Sequence, residues 1–96
     1  MSNGPEGVDR LAAVRARFLV RLAEERAALA SGALSGEDTI MLVHRMAGLA
    51  GTLGADEVCS KAQAYERGLL DADGDAGARA RSHAELIAAI DGYLKA

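Results

Sequence analysis

A histidine on a helix that also carries two glycines is where this chain offers the clearest side-chain chemistry. The run His44-Arg45-Met46-Ala47-Gly48-Leu49-Ala50-Gly51-Thr52-Leu53-Gly54-Ala55 sets Gly48 four and Gly51 seven positions after His44. Glycine inside a helix costs about 1 kcal/mol relative to alanine. Two of them beside a histidine imply that something must come close to the ring. At roughly 100° per residue, Leu42, Val43, Met46, Leu49, Ala50 and Leu53 gather on the side that enters a core. His44, Ala47, Gly48 and Gly51 gather opposite, with Ile40 and Met41 at the edges. The expectation is an imidazole in solvent, on a floor of small residues with an apolar rim that a partner protein can reach. Imidazole near neutral pH suits reversible nucleophilic or proton chemistry. Helix glycines also serve close helix–helix packing, and that reading stands beside the first.

The turn that must orient this histidine is Gly54. His44 lies ten residues before it, so residues near Ala64 on the returning helix stand level with the ring. Gln63 and Glu66 are the polar side chains there. Glu66 lies on the flank of its helix's inward stripe. From there its carboxylate can take a hydrogen bond from one ring nitrogen, fix the tautomer and leave the other nitrogen as nucleophile. The alternative is an ordinary surface glutamate. Lys61 and Arg67 are read as solvated.

The pattern His-x-x-x-Gly-x-Ala-Gly-x-Leu-Gly-Ala, followed by Val58, Ala62, Tyr65 and Glu66, resembles the histidine-containing phosphotransfer (HPt) domains of bacterial two-component phosphorelays. The similarity is strongest from Val43 to Glu66; the rest matches in length and helical pattern. The resemblance implies a cytoplasmic four-helix bundle in which His44 accepts a phosphoryl group from a receiver-domain aspartate and passes it to another. It implies response-regulator receivers or a hybrid histidine kinase as partners, no cofactor in this chain, and Mg²⁺ on the partner receiver. Ile40, Met41, Ala47, Gly48 and Gly51 would form the docking surface. One position departs from the pattern. The family usually carries lysine three residues after its histidine, where this chain has Ala47. Arg45, about 100° round the helix from His44, is the cation left to stabilise phosphate. The departure keeps two alternatives open: an HPt-like docking module that carries no phosphate, and a plain structural bundle in which the glycine face packs helix on helix. The dimerising histidine domain of a sensor kinase is a weaker fit, because this chain has no attached ATP-binding domain.

Four helices are expected to position these residues. Ninety-six residues make one domain, half hydrophobic but with three aromatic residues in all. Such a core is built from aliphatic side chains and alanine, which suits closely packed helices. The single proline, Pro5, lies at the start, and no alternating β-branched run signals a strand. The first helix is expected from Pro5 or Val8 to Ala30, with Leu11, Val14, Phe18, Leu22 and Leu29 inward and residues 1–6 disordered. Ser31-Gly32 ends it. Ser35 and Asp38 form a variant capping box for the second helix, which stops near Gly54. The third opens at Ala55-Asp56-Glu57, with Val58, Ala62, Tyr65 and Leu69 inward. The fourth runs from about Asp75 to Leu94, with Ile87, Ile90 and Leu94 in line. The fold class is therefore all-α, an antiparallel up-down four-helix bundle, and a monomer is expected.

Several other functions find no support. A net charge of −3 argues against nonspecific nucleic-acid binding. No apolar stretch reaches the length of a membrane span, and the first residues lack the features of a secretory signal. Cys59, the one cysteine, cannot form an internal disulfide and is read as a small half-buried residue. Asp71-Ala72-Asp73-Gly74-Asp75 opens like a calcium loop, but Ala76 and Ser82 occupy the places of the required glycine and glutamate; it is read as a polar turn. His83 shares a face with Ile87, Ile90 and Leu94 and is read as structural, with no metal site implied. No phosphate-binding loop of the G-x-x-x-x-G-K-[ST] form occurs, so phosphate on His44 would have to come from a partner.

Overall fold

Each helix boundary has a local cause. The computed structural model describes the backbone from Gly4 to Ala96 and side chains from Arg10 onward. Helix α1 spans Gly4–Ser31, α2 Gly36–Thr52, α3 Asp56–Leu70 and α4 Ala76–Lys95. The expected disorder over residues 1–6 falls partly outside the described residues, and from Gly4 onward the backbone is helical. At the end of α1, Gly32 takes φ +69°. The Ser31 hydroxyl donates to the Ala28 carbonyl and accepts from the Ala33 amide. Ser35 caps α2, its hydroxyl accepting from the Asp38 amide at 3.0 Å, as the capping-box spacing predicts. Gly54 (φ +79°) closes α2 in a Schellman motif: Ala55 N–H reaches the Ala50 carbonyl and Gly54 N–H the Gly51 carbonyl. Asp75 caps α4 by accepting from the Gly77 amide.

Three pairings fix the architecture. Between α2 and α3, His44 meets Glu66 while Gly51 meets Cys59. Between α3 and α4, Lys61 meets Glu85 while Gly68 meets Arg79. Between α4 and α1, His83 meets Leu29 while Tyr93 meets Phe18. In each pair one number rises as the other falls, so neighbouring helices run antiparallel around a ring. This is the all-α, up-down four-helix bundle expected from short connections. All described residues are helical or in connections, with no strand among them.

The core is aliphatic and small, as the composition requires. Phe18, Leu22 and Leu29 of α1 meet Leu42, Val43, Met46 and Ala50 of α2, Val58, Ala62 and Tyr65 of α3, and Leu86, Ala89 and Ile90 of α4. The stripes of α4 and α1 differ from expectation. On α4 the buried line is Leu86, Ala89 and Ile90, while Ile87 and Leu94 are half-buried at its edge. On α1, Leu11 is 61% exposed. The helix is simply longer than its neighbours: 28 residues against 17 in α2 and 20 in α4. Its first turns run past the other helices and give the molecule a long axis of 57 Å against 22 Å across. His83 plays the structural part expected of it. Its Nε2 lies 3.1 Å from the Leu29 carbonyl, and its ring meets Tyr65 edge-on. Burial pushes the Tyr65 hydroxyl up from its ordinary value, with Arg79 opposing. Asp71 accepts from the Asp73 amide, so the acidic segment is a polar turn.

Candidate functional site

The α2–α3 seam brings together the two residues that chemistry most needs. His44 Nδ1 lies 2.8 Å from Glu66 Oε2. The His44 side chain is 74% exposed and that of Glu66 only 18%. A carboxylate oxygen accepts, so the facing ring nitrogen donates. In the neutral ring this geometry places the proton on Nδ1 and leaves the lone pair on Nε2. The register that the Gly54 turn predicts is the one observed. Gln63, the other polar candidate, is exposed and makes no described hydrogen bond to the ring.

The floor of the site differs from its helical-wheel picture. Ala47, expected on the exposed face, is 6% exposed and belongs to the core. Leu49, expected in the core, is exposed. Both displacements have one cause. Helix α3 lies close against the His44 side of α2, so the buried arc of α2 is turned toward that side. Ala47 comes under α3, and Leu49 rolls out. Ala47 therefore offers no contact area to a partner. Met41 is exposed and Ile40 half-buried, so the apolar rim consists of Met41 and Leu49 with part of Ile40.

The two glycines separate. A Cβ on Gly51 would lie 3.3 Å from Cys59 Sγ, so this glycine lets α3 approach. A Cβ on Gly48 would meet nothing within 4 Å. Gly48 is exposed, sits one turn beyond His44, and has φ in the ordinary helical region. Nothing inside the fold repays the roughly 1 kcal/mol that a helical glycine costs. Gly48→Ala is accordingly expected to raise unfolding stability by about 0.5–1 kcal/mol in denaturant titration. A loss of stability would mean that Gly48 serves the fold after all.

Arg45 lies on the other flank. It faces α1, where its charge and that of Arg21 pull the Glu25 carboxyl down while burial, the larger effect, pushes it up. Arg21 Nε is 3.4 Å from Glu25. Arg45 is exposed and forms no ion pair or hydrogen bond among the described residues, with Glu25 or with His44. Its charge toward Glu25 is not legible in the sequence, because it depends on how α1 crosses α2.

Among the described residues no cluster of three or more His, Cys, Asp or Glu could hold a metal ion. No helix among them is long and apolar enough to cross a membrane. No protein-family model matches the chain, and neither a curated protein nor a solved structure does.

Proposed function

We propose that this chain is an HPt-like phosphocarrier, in which His44 shuttles a phosphoryl group between receiver-domain aspartates in a cytoplasmic two-component relay. The observation that carries this reading is the exposed His44 ring with Nδ1 held by Glu66 and Nε2 free. Its motif context resembles that family.

The chemistry asked of the chain is small. The Nε2 lone pair attacks phosphorus of a partner's aspartyl phosphate. A P–N bond forms as the P–O bond to the aspartate breaks, and the carboxylate leaves with that electron pair. The ring becomes cationic while Nδ1 keeps its proton, and the Glu66 carboxylate beside it offsets the new charge. Return to a second aspartate reverses these steps. Phosphoryl transfer depends on positioning and charge stabilisation, and Mg²⁺ would be the receiver's. The open surface at Gly48, with Met41 and Leu49 beside it, is where the partner's loops would approach.

Ala47 in place of a cation favours one second reading: docking on a receiver or kinase without transfer. Ala47→Lys bears on both. A lysine stem can run out along the α2–α3 seam to put its ammonium beside His44, at about 1–3 kcal/mol for overpacking. Faster transfer or a longer phosphohistidine lifetime is expected, and no change in either would count against the phosphocarrier reading. The direct test is incubation with a labelled, phosphorylated receiver. Acid-labile, alkali-stable label on this chain supports the carrier. Binding without label supports the docking module, and neither would leave a structural bundle.

A further inference from the structure

Residues 10–17 of α1 carry an apolar stripe that no other described residue covers fully, and the same end of the bundle holds an open groove. Residues 10–21 carry Arg10, Arg15, Arg17 and Arg21 and no acidic residue, in a chain of net charge −3. Arg10, Arg15, Arg17 and Arg21 flank the stripe that begins with Leu11 and Val14 and continues into the core as Phe18 and Leu22. Phe18 is the first of these to be buried, against Tyr93 near the end of α4. Upstream of it Val14 is half-buried and Leu11 exposed, because no helix of the same chain extends far enough to cover them.

The groove lies between α3 and α4 at that same end, where α3 begins and α4 finishes. Its floor is made of small or apolar residues, Ala55, Val58, Ala89 and Gly92. A Cβ on Gly92 would meet nothing within 4 Å, so the floor is open to a close approach. Asp56 and Glu57 stand on its rim, and the Lys61–Glu85 pair (3.6 Å) closes its far side.

We infer that two copies of this chain associate end to end, each laying residues 10–17 of its α1 into the α3–α4 groove of the other. Residues 10–21 of the helix are basic and their stripe apolar; the groove carries Asp56 and Glu57 on its α3 rim, has Lys61 paired with Glu85 at its far side, and is smooth at the floor. Both lie at one end of the molecule, so a twofold axis there satisfies both contacts at once and closes the assembly. Leu11 and Val14 would cover the floor at Ala89 and Gly92, and Arg15, on one flank of that stripe, would face Asp56 and Glu57. The α2 face that carries His44 and Gly48 takes no part, so the dimer would present two free histidines. This inference stands independently of the phosphocarrier reading.

Sedimentation equilibrium of the intact chain at tens of micromolar tests it. A dimer is expected at low salt, weakening at least tenfold between 0.05 and 0.5 M NaCl as the rim charges are screened. Leu11→Glu and Arg15→Glu should each give monomers with unchanged helix content. Adding Glu57→Arg to Arg15→Glu should restore association. In a Cys59→Ser background, mixing Leu11→Cys with Gly92→Cys chains should yield a disulfide between the two. A monomer at every concentration and salt overturns the inference. So does a dimer that survives Leu11→Glu, or one lost only on substitution of Val20, the exposed residue on the outer face of α1.

Discussion

His44→Ala is expected to accept no phosphoryl group from a receiver that labels the native chain, while folding and unfolding as the native chain does. The ring is exposed and makes one described hydrogen bond, to Glu66. Its removal therefore deletes the nucleophile and leaves the core intact. Glu66→Ala belongs to the same prediction and separates positioning from chemistry. Without the carboxylate, Nδ1 no longer has a fixed proton, and the imidazolium formed on transfer loses its nearest negative charge. A hydrogen bond to a charged group contributes about 1.5–3 kcal/mol; with the ring in solvent the lower end applies. One factor of ten in rate corresponds to about 1.4 kcal/mol, so transfer should slow about tenfold. Glu66→Gln should recover part of the rate, because its amide oxygen can still accept from Nδ1. Quench-flow with a phosphorylated receiver gives all three rates. Label surviving in His44→Ala would place the acceptor elsewhere. An unchanged rate in Glu66→Ala would reduce Glu66 to a surface contact.

Met46→Ala is expected to destabilise the bundle by about 2–5 kcal/mol, a large share of the roughly 5–15 kcal/mol that holds a domain of this size. Met46 is fully buried and among the largest such side chains in the core. Its loss leaves a cavity between α2 and its neighbours that short helices rich in alanine cannot easily close. Leu49→Ala, three residues along the same helix, is expected to change stability by less than about 1 kcal/mol, because Leu49 is exposed. Denaturant melts of the two variants check both values. Equal losses would mean that α2 is rotated from the orientation described above, with Leu49 in the core.

Gly48→Gln adds a functional counterpart. The longer side chain fits the open space at Gly48 and should leave the helix content intact. Affinity for a receiver should fall at least tenfold if the partner approaches there. Calorimetric titration against the receiver that labels His44 reads the difference, and equal affinity would leave the glycine without a role in docking.

Much of the site is legible in the sequence because local rules determine it. The Gly54 turn and the helical rise fix the register of α2 against α3, and register alone brings Glu66 level with His44. The caps at Ser35, Gly32 and Gly54 follow from hydrogen bonding within a few residues of chain, and they end the helices at the residues whose types favour an end. Periodicity likewise identifies Val43, Met46 and Ala50 as core, because those positions face inward under any nearby rotation of α2. Positions on the boundary of a stripe are decided by the tertiary structure. Ala47 and Leu49 exchange places because α3 presses on one flank of α2 more closely than α1 presses on the other, and a helical wheel has no neighbours. The separation of Gly48 from Gly51 and the exposure of Leu11 on α1 have the same origin. Each depends on where another helix runs and where it stops. A sequence determines its own helices through contacts a few residues apart, but the azimuth at which two helices meet is a balance over the whole core.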